Sequence, residues 1–223
     1  MIKVFIGYDS RMPEDFSVAS SSLLEKSSVP VSITPLYLKN LRDVYNRPKG
    51  MGPKPSNEFS YTRFLVPYLC EYEGWAVFVD GDVVFNDDIW NLFALRNDEY
   101  AVQVVKHDYS PKSTKKFKGN EQHVYPKKNW SSVMMFNNEK CTDLSFVQPN
   151  SSTGSFLHQF QWLDNEDLIG SLPRRWNYLV GEYDKISRYD ISLFHYTEGT
   201  PLHPEYRDCD YAEEWLRYGG KYI

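Results

Sequence analysis

Short apolar runs alternate with segments of helical periodicity along most of this 223-residue chain. The first run, residues 2–8, has the length and β-branched composition of a buried strand, and Pro13 followed by two acids indicates a helix start. Such alternation is typical of an α/β fold with a mostly parallel central sheet flanked by helices, and we predict a single domain over 1–223. Further strands are predicted at 31–38, 75–80, 100–105, 129–138 and 191–196, and further helices at 60–72, 89–95 and 155–163.

Composition and cysteine content restrict the class of protein. The chain is 41% hydrophobic and 25% charged, as in ordinary soluble proteins, and no apolar run approaches the roughly 20 residues of a membrane span. The N-terminus enters a strand-like segment without a signal-peptide pattern. Cys70, Cys141 and Cys209 are scattered and form no CxxC pair, which argues against a disulfide scaffold. We therefore predict a cytoplasmic protein without a transmembrane segment.

Charge is unevenly distributed along the chain, whose formal net charge is -5. Residues 106–128, here called the lysine segment, contain seven lysines against two acids, Asp108 and Glu121, so the remainder is strongly acidic. The lysine segment either attracts an anion or is a solvated loop, and charge alone favours the loop. The acidic remainder argues against a nucleic-acid-binding protein, so no nucleic-acid partner is predicted.

Polar side chains stand where several predicted strands end. Asp9 follows the first strand, Asp80 and Asp82 follow a central one, and His195 lies at the end of the last. Ligands of open α/β sheets bind in the crevice outside the carboxyl ends of the strands. We therefore expect these residues to share one crevice.

Two carboxylates flank a single glycine in the stretch AVFVDGDVVF, residues 76–85, directly after an apolar strand. Carboxylates are hard oxygen ligands suited to Mg²⁺ or Mn²⁺, and two of them leave coordination positions open for substrate phosphates. Gly81 has no side chain, so the backbone there can approach a bulky ligand closely. A nitrogen ligand from His195 would suit Mn²⁺ better than Ca²⁺, and His203 is the alternative ligand.

Other interpretations of Asp80 and Asp82 stay open from the residues alone. They could form an ordinary acidic turn after a strand. FVDGDVV also fits the motif of haloacid-dehalogenase-type phosphatases, in which Asp80 would be the phosphorylated nucleophile. That motif usually opens its domain, whereas about a third of this chain precedes it. A non-catalytic module that binds a nucleotide or a glycan is the third possibility.

A set of motifs in order resembles family 8-like glycosyltransferases of the GT-A fold: KVFIGYDSR, SYTRFLVPYL, FVDGDVVF, NWSSVMMFNN, NEDLIGSLPRRWN and FHYTEGTP. The resemblance implies transfer of a sugar from a nucleotide-sugar donor, usually a UDP-sugar, to a glycan or another hydroxyl acceptor. It also implies retention of the anomeric configuration and a Mn²⁺ (or Mg²⁺) cofactor held by Asp80, Asp82 and His195. Tyr8 and Asp9 would contact the nucleobase of the donor.

The resemblance assigns the other substrate contacts as well. Arg63 would reach the donor sugar or its phosphate, and the segment beginning at Asn129 replaces the family's Asn-x-Gly sugar contact with Asn-Trp-Ser. The resulting substrate-binding set from these motifs is Tyr8, Asp9, Arg11, Arg63, Gly81, Asn129 and Ser131.

The late motif of the family, His-Phe-x-Gly-x-x-Lys, is altered here to HYTEGTP, which lacks the lysine. The diphosphate would then be bound by Thr197 or Thr200, by backbone amides near Gly199, or by the lysine segment. We expect the lysine segment to form a loop at the crevice mouth that contacts the acceptor or the diphosphate. Its residues nearest the substrate would be Lys106 and His107, which follow a strand.

The catalytic face is expected at Glu166, because Asn165-Glu166-Asp167 replaces the family's Asp-Gln-Asp. Glu166 would stabilise the oxocarbenium-like transition state or deprotonate the acceptor, and a base at this position would instead favour inversion. Asp164 and Asp167 are the next candidates. The competing interpretation is structural, with these acids paired to Arg174 and Arg175.

Overall fold

The structure is a computed structural model that describes residues 1–52, 55–108, 115–116, 120–121 and 126–219. Its strands are β1 (Ile2–Gly7), β2 (Val31–Leu36), β3 (Trp75–Val79), β4 (Val83–Phe85), β5 (Val102–Val104), β6 (Lys115–Lys116), β7 (Asn120–Glu121), β8 (Val133–Asn137), β9 (Ile169–Ser171), β10 (Tyr178–Leu179) and β11 (Leu193–His195). Its α-helices are α1 (Pro13–Lys26), α2 (Val66–Leu69), α3 (Ile89–Phe93), α4 (Val147–Ser151), α5 (Gly154–His158) and α6 (Ala212–Gly219).

The central sheet has six strands in the order β2-β1-β3-β8-β5-β9. All of its pairs are parallel except the two that β8 makes with β3 and β5, so five strands share one direction. This confirms the predicted mostly parallel α/β sheet. The inner strands β3, β5 and β8 are buried on both faces, which explains why their sequences are nearly continuous apolar runs.

Strand β3 shows how one apolar run serves two cores. Ala76 and Phe78 belong to the hydrophobic cluster on one face of the sheet, whereas Val77 and Val79 belong to the cluster on the other face. Successive side chains of a strand point to opposite faces, so all four are fully buried. Burial of this strand from both sides holds its carboxyl end, where Asp80 follows, in a rigid frame.

A second sheet of three strands, in the order β10-β11-β4, adjoins the first. Three residues separate the end of β3 from the start of β4, so Asp80, Gly81 and Asp82 form the corner between the two sheets. Strand β11 pairs with β4 in antiparallel register, with His195 opposite Val83. This pairing brings residues more than one hundred positions apart to the same corner.

The predicted helices are confirmed unevenly. Helix α1 begins at Pro13 as predicted, and it buries Leu23 while Leu24 is exposed. The helix predicted at 60–72 is wrong in extent: a 3-10 turn (Thr62–Leu65) leads into the four-residue α2, where Pro67 offers no N–H to an earlier carbonyl.

Further differences concern short elements. The helix predicted at 155–163 ends at His158, because Phe160 adopts a positive φ of 59°. Strands β4, β9 and β10 were not predicted, since two or three residues carry no periodic signal. The amphipathic helix α6 was missed as well, although its buried Trp215 packs in the cluster beside α1.

The three cysteines are unpaired, as predicted, and two of them, Cys70 and Cys141, are buried. Within the described ranges, no helix has both the length and the apolar character that a membrane crossing requires. A cytoplasmic location stays a prediction.

Candidate metal centre and donor site

Three predicted metal ligands meet at the corner between the two sheets. One ligand atom from each of Asp80, Asp82 and His195 lies within 4.8 Å of the others. The Nε2 atom of His195 is 3.4 Å from Asp82 Oδ1 and 4.0 Å from Asp80 Oδ2. The crevice expected from the strand ends therefore exists at this corner.

Gly81 is required by packing rather than by a visible ligand. A Cβ atom at this position would lie 2.5 Å from the carbonyl oxygen of Gly7, at the end of β1. Only glycine lets the corner pass this close to the neighbouring strand. The predicted approach of a ligand to Gly81 stays a prediction, since the close contact already accounts for the residue.

The orientation of His195 is determined by a hydrogen bond behind it. Its Nδ1 lies 2.8 Å from Asn177 Oδ1, an acceptor, so Nδ1 carries the proton and donates it to this oxygen. The other ring nitrogen, Nε2, then faces Asp80 and Asp82, where it is placed to bind a metal ion together with the two carboxylates. A neutral imidazole in this tautomer is the form that binds a metal ion.

Asn177 is itself held by buried partners. Its Nδ2 group lies 2.8 Å from His107 Nε2 and 2.8 Å from Ser132 Oγ, and His107 Nδ1 lies 2.6 Å from the hydroxyl of Tyr183. Burial is the main cause that lowers the pKa of His107 to about 3, with electrostatic contributions from the neighbouring His195 and Arg174, so the His107 ring is neutral. His107 therefore lies behind the metal ligands, in a position unlike the substrate-facing one predicted for it.

A buried arginine compensates the charge of the acidic corner. Arg63 Nη1 is 2.7 Å from Asp80 Oδ1 and also donates to the backbone oxygen of Ser131 at 2.8 Å. The side chains of Arg63 and Asp80 are 5% and 11% exposed, so water screens this pair only weakly. The two aspartates can therefore lie two residues apart without an uncompensated repulsion.

A cavity of about 220 Å³ opens over this corner. Eight of the predicted site residues line it, namely Arg63, Asp80, Asp82, Asn129, Ser131, His195, Thr197 and Gly199. Thr200 and His203, which the sequence analysis considered as alternatives, also line it. The four motifs around these residues therefore converge on one space.

Tyr8 and Asp9, the predicted contacts to the nucleobase, are not among the described residues that line the cavity. Tyr8 packs against Phe16 and Tyr37, with ring centroids 5.5 Å and 4.6 Å away. Burial raises the pKa of Asp9, but hydrogen bonds from the side chain and backbone of Arg11 outweigh it and lower the pKa overall. Arg11 thus holds the Asp9 carboxylate, and both residues' roles toward a base stay predictions.

The acids proposed for catalysis lie on the surface. The side chain of Glu166 is 80% exposed, and its Oε1 is 2.5 Å from Lys127 Nζ. Among the described residues that line the cavity, none comes from 164–167. The ion-pair partner of Glu166 is Lys127, and Arg175, one of the two predicted partners, pairs with Asp87 at 2.6 Å. Pairing of Arg174 with these acids stays a prediction.

Most of the lysine segment lies outside the described residues. Within it, β6 and β7 pair in antiparallel fashion, and Lys106 is exposed with Nζ 5.8 Å from the ring centroid of Trp130. Lys127 serves the ion pair with Glu166. The predicted loop at the crevice mouth therefore stays a prediction.

Several residues of the site were not predicted from the sequence, and three of them are Asn177, His158 and Asp15. Asn177 ends one of the quoted motifs, but nothing in its local sequence indicates that its side chain is buried behind His195. His158 accepts from Ser131 Oγ at its Nδ1, 2.7 Å away, and burial with the charge of Arg63 lowers its pKa to about 3. Asp15 lines the cavity from the first turn of α1.

Comparison with known proteins decides the family. The model of glycosyl transferase family 8 matches residues 19–200, most of the chain. The chain belongs to glycosyl transferase family 8. A family relative, "Protein CDI" of Arabidopsis thaliana, is 42% identical over 219 residues, which cover 96% of this chain and 84% of that protein.

Solved glycosyltransferase structures share the fold. The bifunctional enzyme WbbM superposes with a TM-score of 0.62 at 17% identity, covering 99% of this chain and 50% of WbbM. GlyE of Streptococcus pneumoniae TIGR4 superposes with a TM-score of 0.63 at 15% sequence identity, and the match covers 98% of this chain and 60% of GlyE. The galactosyltransferase LgtC, solved with donor and acceptor sugar analogues, superposes with a TM-score of 0.57 at 11% sequence identity. The match covers 98% of this chain and 95% of LgtC.

These comparisons confirm the predicted GT-A fold, and the family confirms the predicted enzyme class, a nucleotide-sugar-dependent glycosyltransferase. The chain spans about half the length of WbbM and 60% of GlyE. The donor, the acceptor and the metal of this family 8 member are therefore matters for proposal.

Proposed function

We propose that this family 8 member transfers a sugar from a UDP-sugar to a hydroxyl group of an acceptor such as a glycan, with Mn²⁺ as cofactor. The observation that carries the proposal is the meeting of one ligand atom each from Asp80, Asp82 and His195 within 4.8 Å of one another, in residues that line the cavity. Two acids and one oriented imidazole in a cavity are a metal-binding arrangement rather than an ordinary acidic turn.

The donor set fits a divalent cation of moderate hardness. Hard carboxylate oxygens with one imidazole nitrogen suit Mn²⁺ better than Ca²⁺, which prefers oxygen alone. Neighbouring ligands around an octahedral ion with bonds of about 2.1 Å lie about 3 Å apart. The 3.4 Å between His195 Nε2 and Asp82 Oδ1 is close to that spacing.

When bound, the cation would neutralise the charge that develops on the departing diphosphate. The chain's own groups would hold the reacting parts. Arg63 contributes a buried positive charge at the same corner, and Thr197 and Gly199 line the cavity beside His195, where the family's lysine is absent. A bound substrate that displaces water from this pocket would strengthen each of these electrostatic contacts.

A thermal-shift screen of nucleotides and nucleotide sugars, each with Mn²⁺, Mg²⁺ or EDTA, tests the proposal. A UDP-sugar with Mn²⁺ at about 100 times its Kd should raise the free energy of unfolding by about 2.7 kcal/mol. The melting temperature should then rise by roughly 5–10 °C in a chain of this length, and EDTA should abolish the rise.

Product analysis distinguishes the alternatives. Release of nucleoside diphosphate with an added acceptor supports transfer. Phosphate release from monoesters without nucleotide binding would instead assign a phosphatase with Asp80 as nucleophile. Nucleotide-sugar binding without turnover on any acceptor would assign a binding module.

We further propose that Glu166 acts on the acceptor. Its exposure at the surface suits contact with a hydroxyl group that arrives from solvent, and Lys127 holds its carboxylate in one direction. Glu166→Gln is expected to lower kcat by about 10²-fold, the usual scale of general acid–base assistance, while nucleotide affinity stays within twofold of wild type. Steady-state kinetics and calorimetric nucleotide titration measure the two quantities.

Asp164→Asn and Asp167→Asn serve as matched controls, because both change an exposed acid beside Glu166. A Glu166→Gln enzyme with wild-type turnover would limit Glu166 to its ion pair with Lys127. A loss in one of the two controls alone would transfer the proposed role to that aspartate.

A further inference from the structure

Two buried oxygens line the cavity next to the metal ligands without a hydrogen-bond partner. Asp15 Oδ1 and Thr200 Oγ1 make no hydrogen bond of normal geometry with any described residue. Their residues are only 4% and 2% exposed, and both face the cavity. An unsatisfied buried polar atom costs free energy, so two of them in one pocket point to a ligand that supplies the missing bonds.

Asp15 and Thr200 come from separate elements but are neighbours. Asp15 lies in the first turn of α1, and Thr200 lies in the turn after β11, where its backbone oxygen accepts from the His203 N–H at 3.0 Å. Burial and the nearby charge of Asp82 raise the pKa of Asp15, and a hydrogen-bonding interaction with the Thr200 side chain, outside normal hydrogen-bond geometry, opposes that rise. The pair therefore forms one polar surface beside Asp82.

The charge of this surface decides what it can bind. Asp15, Asp82 and Glu198 line the same cavity, and Arg63 is the one arginine or lysine among the described lining residues. Arg63 is already paired with Asp80. A further anionic group would be repelled by the acidic side chains here. Neutral hydroxyl groups of a ligand could instead form hydrogen bonds with the carboxyl group of Asp15 and the hydroxyl group of Thr200.

We propose that Asp15 and Thr200 form a subsite for adjacent hydroxyl groups of a sugar ring, called here the hydroxyl subsite. The inference rests on the proposed function, since it places part of a nucleotide-sugar substrate or its acceptor in this cavity. Three rings could supply the hydroxyl groups: the sugar being transferred, the ribose of the nucleotide, and the acceptor.

Asp15→Ala and Thr200→Val test the hydroxyl subsite, with Glu14→Ala as the matched control. Glu14 is an exposed acid in the same helical turn, so its replacement removes a similar charge away from the cavity. The probes are the nucleotide sugar that stabilises the wild-type protein most in the thermal-shift screen and its matching nucleoside diphosphate, both with Mn²⁺. Calorimetry measures each Kd, and KM is measured for the acceptor.

The expected result is a weaker affinity of Asp15→Ala for the nucleotide sugar by about tenfold, and of Thr200→Val by about threefold, with nucleoside diphosphate affinity within twofold. This pattern assigns the subsite to the transferred sugar. An equal loss for both probes, with Mn²⁺ affinity unchanged, assigns it to the ribose. A rise in acceptor KM alone assigns it to the acceptor.

Wild-type affinity for every probe and an unchanged acceptor KM in both variants would overturn the hydroxyl subsite. A similar loss in Glu14→Ala would also overturn it, because the effect would then follow from charge on α1. These failures differ from failure of the proposed function, in which the wild-type protein itself binds no nucleotide sugar. Melting temperatures of both variants in EDTA check that each is folded.

Discussion

Replacement of Asp82 by Asn is expected to lower kcat/KM by about 10³-fold, because the metal ion contributes several kcal/mol of transition-state stabilisation and 1.36 kcal/mol corresponds to tenfold. The asparagine keeps the shape of the side chain but removes the charge that lies 3.4 Å from His195 Nε2. The free energy of unfolding in EDTA should stay equal or increase, because one of the neighbouring negative charges is lost. Stabilisation by Mn²⁺ should disappear.

Asp98→Asn is the matched control, since Asp98 is an exposed acid in the loop before β5. It should retain wild-type activity and the Mn²⁺-dependent rise in melting temperature. Full transfer activity of EDTA-treated wild-type protein, or undiminished Mn²⁺ stabilisation of Asp82→Asn, would contradict the metal mechanism.

Replacement of Asn177 by Leu is expected to weaken Mn²⁺ binding by about 10–100-fold, although Asn177 is not itself a predicted ligand. The amide oxygen of Asn177 accepts the Nδ1 proton of His195 at 2.8 Å, and this bond keeps the Nε2 lone pair directed at the carboxylates. Without it, the imidazole can rotate or adopt the other tautomer. Calorimetric titration with Mn²⁺ measures the loss, and turnover should recover in excess Mn²⁺.

Asn177→Asp separates orientation of the ring from simple packing. Aspartate retains an acceptor for His195 Nδ1 but loses the donor that contacts His107 and Ser132. It should therefore bind Mn²⁺ more tightly than Asn177→Leu. Equal Mn²⁺ affinity of wild type and Asn177→Leu would exclude the positioning role, as would a turnover that excess Mn²⁺ fails to restore in a folded variant.

Elements with a strong local pattern were predictable from the sequence. Strands β1 and β3 are uninterrupted apolar runs, and helix α1 begins with proline and acids, so their residue types alone indicated their structure. Strand β10 has two residues and α2 has four, and segments this short owe their conformation to the partners they pack against. Their boundaries were therefore not readable.

The candidate site divides in the same way. Asp80 and Asp82 were identified from two acids after an apolar strand, a signal contained in five neighbouring residues. The predicted role of His107 in substrate binding stays a prediction, because the sequence shows that His107 follows a strand but not that its ring contacts Asn177. No spacing along the chain connects these two residues, which lie 70 positions apart.

By itself, the sequence determined the α/β class, the acidic corner after β3 and the resemblance to a glycosyltransferase family, because each depends on residue types at short spacing. Only the tertiary structure decided which residues complete the site. The antiparallel pairing of β4 with β11 brings His195 to Asp82, Asn177 directs the imidazole, and the fold of α1 brings Asp15 beside Thr200. These contacts join distant parts of the chain, and burial of the two sheets against each other, rather than any local preference, determines them.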